Sequence, residues 1–365
     1  MTFYKTAYSL WGDEEQAAID RVRASGQWTM AGEVETFEAE LAEWHGVKHA
    51  IMVNSGSSAN LIAVAALFHV ENNPLKRGDT ALVPAIAWST TFAPLVQHGL
   101  KLKLVDCDAT WNAANADTAK LSVICSILGN PTYPLNFSGD YVIEDNCESL
   151  GASVLGKKCG TFGFMGTLSF FYSHQLSAIE GGAILTNSDE CARLCKMLRA
   201  HGWTRDVAKP ESFDDEYDFR LMGYNVRPLE LHAAIGRAQL KKQETFRRQR
   251  EQNWRNFETL SARLPIQLQA RNPHGSTQTN PFGMAFTVES SVTRARLVAA
   301  FRANEIDCRL PTGGSFRKHI YGKPWADQQT PAADYIHECG LFLGNAPFDL
   351  APQIERAIKV MRETL

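Results

Sequence analysis

The chain has 365 residues, 44% of them hydrophobic and 21% charged, which is the composition of a soluble globular protein with a substantial core. Its 37 basic and 40 acidic side chains leave a net charge of −3, which removes any electrostatic case for binding nucleic acid or an anionic membrane. Residues 1–11 lack a basic stretch followed by an apolar run, and no apolar run reaches membrane-spanning length, so a cytoplasmic location is expected.

Eight cysteines (Cys107, Cys125, Cys147, Cys159, Cys191, Cys195, Cys308 and Cys339) show no Cys-x-x-Cys spacing, and several lie in apolar runs. They read as free thiols of a reducing compartment, and no metal site is expected. Cys191 and Cys195 stand one helical turn apart, but no histidine pair lies near them in sequence.

In chain order, residues 13–23 and 33–45 carry the 3.6-residue apolar period of helices. Residues 49–67 read as a short strand, a Ser55-Gly-Ser-Ser58 turn and an apolar helix that Ser57 or Ser58 can cap. Such a helix N-terminus is an anion site, and phosphate is the commonest anion. Residues 80–88 form a strand ending at Trp88 with a helix after it, and further strands are expected at 101–106, 121–128 and 140–145. Alternating strands and helices define an α/β fold with a parallel sheet, whose ligands bind beyond the C-terminal ends of the strands. Ser57, Trp88, Asp145 and His174 all stand at or just past such ends.

Residues 168–187 read as strand, polar turn (Ser173-His174-Gln175), then Glu180-Gly-Gly leading into a second strand. A helix follows over 188–201, a polar loop over 206–220, and one long helical stretch over 229–263 that bridges two domains. From residue 265 the pattern restarts with strands near 283–288 and 306–310 and helices over 293–304 and 352–365.

Five motifs, in order along nearly the whole chain, resemble the sugar-nucleotide aminotransferase family of fold type I pyridoxal 5′-phosphate (PLP) enzymes. They are the opening stretch, Val53-Asn-Ser-Gly-Ser-Ser-Ala-Asn60, Val83-Pro-Ala-Ile-Ala-Trp-Ser-Thr-Thr91, Ile143-Glu-Asp-Asn-Cys-Glu-Ser-Leu-Gly-Ala152 and the segment beginning Gly223-Tyr-Asn-Val-Arg-Pro. The resemblance implies a large domain over residues 1–245, built on a mostly parallel seven-stranded sheet, and a smaller α+β domain over 246–365. It also implies a homodimer with a shared active site. Gly56, Ser57, Ser58 and Ser169 would hold the cofactor phosphate, with Asn225 reaching it from the neighbouring subunit. Trp88 would stack on the pyridine ring, Asp145 would pair with its protonated nitrogen, and Glu148 would face ring or substrate.

One position departs from the aminotransferase pattern. Where those enzymes carry the lysine that tethers the cofactor, six residues before the glutamate of Glu180-Gly-Gly, this chain has His174. Imidazole cannot form that tether but can act as a base, with an ordinary pKa of about 6.5. The upstream Lys157 and Lys158 belong to a separate turn and read as solvated. The same exchange marks the sugar-nucleotide 3-dehydratase branch. It implies untethered PLP or pyridoxamine 5′-phosphate (PMP), a nucleotide-sugar substrate of the GDP-4-keto-6-deoxymannose kind, His174 as base and L-glutamate as amino donor.

Residues 201–222 contain no cysteine, which argues against the iron–sulfur cluster of a related dehydrase type. Two further differences from the dehydratase branch are Gln175, in place of a second histidine, and Ile179, in place of a glycine. Arg227, Arg309 and Arg317 are candidates for a diphosphate or a carboxylate, since guanidinium pairs bidentately with both. An aminotransferase acting on another keto sugar and a non-catalytic sugar-nucleotide-binding protein are the alternative readings.

Overall fold

Near-continuous apolar runs become the strands of one large sheet in a computed structural model that describes residues 3–114, 118–133, 137–208, 211–273 and 276–365. Residues 1–2 of the opening stretch and 209–210 of the polar loop lie outside the described residues. The strands are β1 (His49–Val53), β2 (Thr80–Pro84), β3 (Lys101–Val105), β4 (Ala119–Cys125) and β5 (Gly139–Asp145), then β8 (Met165–Ser169) and β9 (Gly182–Thr186). A separate small hairpin, β6 (Ser153–Val154) and β7 (Lys157–Lys158), lies between β5 and β8 in sequence. The seven strands run in the order β1-β9-β8-β5-β4-β2-β3, parallel from β8 to β3, with β9 antiparallel to both of its neighbours. Every residue of β8 and β9 is buried, the signature of a sheet covered on both faces.

The helices α1 (Asp13–Ser25), α2 (Gly32–His45), α3 (Gly56–Leu67), α4 (Ser89–Gln97) and α5 (Asp189–Arg199) belong to this part of the chain. Nine of the twelve residues of α3 are buried, which explains why that helix is apolar on all sides rather than striped.

The long helix expected over 229–263 is two helices, α6 (Glu230–Leu240) and α7 (Gln243–Ser261). At the break, Lys242 Nζ reaches Glu14 at 2.9 Å and Glu15 at 2.8 Å, so docking of α1 holds the turn. The division expected after residue 245 falls inside α7, which runs on unbroken and buries Trp254 and Phe257 in a second core.

That second core lies on a four-stranded antiparallel sheet, ordered β10 (Gln267–Leu268), β11 (Gly283–Thr287), β13 (Gly340–Gly344), β12 (Cys308–Arg309). The helices α8 (Ser291–Ala303), α9 (Pro331–Cys339) and α10 (Ala351–Thr364) complete the chain. Phe286, Phe301 and Met361 are fully buried in this core, each contributing about 2–3 kcal/mol of apolar burial. Tyr4 joins it from the other end of the chain, its hydroxyl donating to the Gly344 carbonyl at 2.8 Å. Strand β13 was not legible in the sequence, because three apolar residues between two glycines fit a buried helix turn as well as a strand. Among the described residues no helix is long and apolar enough to cross a membrane.

Candidate active site

A cleft of about 340 Å³ opens where the C-terminal rim of the large sheet faces the segment joining β12 to α9. Gly56, Ser57, Trp88, Asp145, Glu148, Ser169 and His174 line it from the large sheet, and Phe282, Arg309 and Thr312 from the other side.

One end is built for an anion. Strand β1 leads into α3, and Ser55 rather than Ser57 or Ser58 caps that helix, its Oγ accepting from the Ser58 amide at 3.0 Å. The Ser58 hydroxyl donates to Asn54 Oδ1 at 2.6 Å and is not on the cleft wall. Ser57 Oγ shares a 2.7 Å hydrogen bond with Thr90 Oγ1 in the first turn of α4, so two helix N-termini converge here. First-turn amides have no partner within their own helix, and they carry the positive end of its dipole. A Cβ on Gly56 would stand 2.6 Å from Ser169 Cβ and 2.7 Å from Cys147 Sγ, so only glycine fits between helix and sheet.

The middle of the cleft suits a flat ring. Trp88, at the N-cap of α4, lines the cleft and leaves 57% of its surface exposed. Asp145 ends β5 at 3% exposure. Its Oδ2 accepts from Asn60 Nδ2 at 2.8 Å and Thr91 Oγ1 at 2.7 Å, and its Oδ1 accepts from the Cys147 amide at 3.2 Å. Thr167 donates to Asn60 Oδ1 at 2.7 Å and fixes its orientation. Among the described residues no lysine, arginine or histidine forms an ion pair with Asp145. A buried carboxylate held by three neutral donors is a ready partner for a cationic ligand atom.

His174 stands in the excursion between Ser169 and Gly182, the last paired residues of β8 and β9. Main-chain hydrogen bonds from Phe170 to Gly181 (2.8 Å), Tyr172 to Ile179 (3.0 Å) and His174 to Phe171 (2.9 Å) make it an ordered turn. The imidazole meets Phe282 and Phe171 edge-on, with ring centroids 5.3 and 5.8 Å away. That enclosure is the main reason its pKa falls to about 4. A backbone interaction at Cys147 opposes the fall and the buried Arg250 guanidinium adds to it. The ring is therefore neutral at pH 7. Glu148 moves the other way, pushed up to about 7 by burial, against hydrogen bonds from the Leu128 amide (2.9 Å) and Thr312 Oγ1 (3.0 Å), with Asp145 adding to the rise.

The remaining candidates divide. Arg309 lines the cleft, 3.9 Å from Asp307. Arg317 does not; its guanidinium is spent on Asp334 at 2.5 Å and on the Ala326 and Gln328 carbonyls. Asn225 and Arg227 line a separate depression of about 300 Å³ with Trp203 and Arg205, away from His174. Lys157 and Lys158 lie over the rings of Phe162 and Trp44, and no lysine lines the cleft among the described residues. Sequence reasoning missed Asn60, Thr90, Thr91, Phe282 and Thr312. The first three sat inside quoted motifs, whereas Phe282 and Thr312 reach the cleft only through the tertiary fold.

Cleft and sheet together define a fold type I enzyme site, and the chain belongs to the DegT/DnrJ/EryC1/StrS aminotransferase family, which it matches over residues 10–122 and 137–347. Within that family it is 36% identical to the GDP-4-keto-6-deoxy-D-mannose 3-dehydratase of Yersinia pseudotuberculosis, across 100% of this chain and 99% of the relative. The Escherichia coli enzyme of that name, solved with bound hydrated PLP, superposes with a TM-score of 0.92 at 36% identity, covering 99% of this chain and 100% of the other. A GDP-4-keto-6-deoxymannose 3-dehydratase structure with a trapped PLP–glutamate geminal diamine gives 0.91 at 36% identity, covering 98% and 100%.

Proposed function

We propose that this chain is a PLP-dependent 3-dehydratase that removes the C3 hydroxyl of a nucleotide-linked 4-keto-6-deoxyhexose such as GDP-4-keto-6-deoxymannose, with glutamate as amino donor. The observation that carries this reading is a neutral, ring-enclosed His174 on the sheet hairpin of a cleft that no lysine lines among the described residues. The relatives named above act on that class of sugar, and one was captured with glutamate.

When bound as PMP, the cofactor would supply an amine for the C4 ketone and a ring that takes up the electron pair freed by proton removal and releases it as the C3 hydroxyl leaves. The amides of Gly56 and Ser57 with the hydroxyls of Ser57, Thr90 and Ser169 hold its phosphate. Trp88 offers the ring a flat face, and Asp145 keeps the proton on the ring nitrogen. These contacts replace the missing covalent tether. In His174, Nδ1 is buried, which leaves Nε2 as the nitrogen that takes the proton and returns it. Glu148 is a second titrating group on the same cleft wall, poised near neutrality.

Arg309, the one guanidinium on the cleft wall among the described residues, pairs with the carboxylate or diphosphate that enters. Asn225 and Arg227 serve the site of a second copy in a homodimer, because their depression stands apart from their own chain's cleft. The eight free cysteines fit a cytoplasmic location.

The test is turnover. Purified protein with PMP, glutamate and GDP-4-keto-6-deoxymannose is expected to release 2-oxoglutarate, ammonia and a 3-deoxy-4-keto sugar. A 4-amino sugar as the product would instead establish the aminotransferase reading.

A further inference from the structure

The residue after His174 does something that neither the fold nor the reaction demands on general grounds. Gln175 is 2% exposed, and its Nε2 donates to two carbonyls from distant parts of the chain: Glu148, just past β5, and Asn280, which leads into β11 at 3.1 Å. Both partners are carbonyl oxygens, so the NH2 end of the amide must face them. From the opposite side, Gln243 Nε2 on α7 donates to the Gln175 main-chain carbonyl at 3.1 Å, and Gln243 is itself 1% exposed.

The receiving carbonyls are fixed in turn. Asn280 donates its amide to the Gly129 carbonyl at 3.0 Å and its Nδ2 to the Leu150 carbonyl at 2.7 Å. Gly129, at φ 84°, lies so close that a Cβ there would collide with the Asn280 carbonyl. Glu148 is held through its side chain by Leu128 and Thr312. Two residues beyond Asn280 is Phe282, whose ring meets the His174 imidazole edge-on at 5.3 Å.

We propose that Gln175 is a positioning residue for His174: its buried amide clamps the turn to the Glu148 and Asn280 carbonyls, and so holds the imidazole against Phe282 within the cleft. This rests on the reading of His174 as the base. A hydrogen bond one residue from the base limits displacement of its ring more tightly than contacts at the strand ends. A buried pair of carbonyls without its donor is also costly, which favours a rebuilt turn over a vacant one.

The decisive variants are Gln175→Met, of similar length but without donors, and Gln175→His, which restores one N–H. For Gln175→Met, a fall in kcat of about 10- to 100-fold with the sugar KM within about 2-fold is expected. The NMR titration midpoint of the His174 imidazole, followed in protein without sugar, should rise towards the ordinary value of about 6.5. Gln175→His should recover most of both effects. Should Gln175→Met fail to fold, Gln243→Met removes the bond on the far side, and the same two shifts are expected at smaller size. An imidazole midpoint unmoved in the folded variant overturns the proposal, and so does a loss that Gln175→His shares in full. The imidazole titration needs no turnover, so absence of dehydratase activity in the wild type would sink the functional reading while leaving the clamp decidable.

Discussion

Thr312 Oγ1 donates to Glu148 Oε2 across 3.0 Å, joining the segment beyond β12 to the rim of the large sheet at the mouth of the cleft. The bond favours the ionised carboxylate, so it opposes the burial that lifts Glu148 to about 7. Removing the hydroxyl in Thr312→Val should therefore move the Glu148 midpoint upward. The kcat/KM profile between pH 5.5 and 8.5 should show an inflection near 7 that rises in Thr312→Val and vanishes in Glu148→Gln. Persistence of the wild-type inflection in Glu148→Gln would assign it to another group. The linkage sign is fixed as well. A carboxyl raised in the folded state contributes stability below about pH 4.5 that is lost as pH climbs through about 7.

His174 carries the opposite sign. Its folded value near 4 lies below the ordinary 6.5, so the neutral ring contributes stability above about pH 6.5 that is lost as pH falls towards 4. In the wild type, borohydride should fix no cofactor to the chain. In His174→Lys, a covalent adduct visible by mass spectrometry is expected, with dehydration reduced about 10²- to 10⁴-fold. An adduct in the wild type would mean that some lysine outside the described cleft wall reaches the cofactor.

Gly56→Ala tests the anion end. The added Cβ meets Ser169 Cβ and Cys147 Sγ at 2.6 and 2.7 Å, well inside contact distance, and neither sits on a flexible arm that can move away. Overpacking of this kind costs about 1–3 kcal/mol. Displacement of the α3 N-terminus should weaken cofactor affinity at least about tenfold, read from absorbance titration with PLP, while far-UV circular dichroism stays unchanged. Unaltered PLP affinity would show that the phosphate is held elsewhere.

What could be read in the sequence has a common physical basis. Gly56, Asp145 and His174 each sit at or just past the end of a strand whose apolar run announces it, and local pattern suffices to place such residues on one rim. The choice of Ser55 over Ser58 as cap was not legible, because it turns on which of four adjacent residues takes the extended conformation. The Thr312–Glu148 bond and the Gln175 clamp join residues 164 and 105 positions apart, and no local period encodes them. Arg317 looked as suitable for an anion as Arg309 until Asp334, brought in by α9, claimed it. Ion pairing between separate elements is a property of the fold.

Ile179 gives the last test, on the same turn. It is a β-branched residue at φ 71°, in the left-handed region, and 38% of its surface is exposed. That conformation costs about 1–2 kcal/mol for a residue with a Cβ and almost nothing for glycine. Ile179→Gly gives up a partly exposed side chain and about 0.5–1 kcal/mol of backbone entropy, and it relieves the strain. The net change in unfolding free energy should stay within about 1 kcal/mol, against roughly 2–5 kcal/mol for truncating a buried isoleucine such as Ile184 to alanine. Ile179→Ala keeps the Cβ and therefore the strain, yet loses the same contacts. Urea denaturation should rank Ile179→Gly at least as stable as Ile179→Ala, the reverse of the usual order inside ordered structure. The usual order would mean that the left-handed turn beside Glu180 stores no strain.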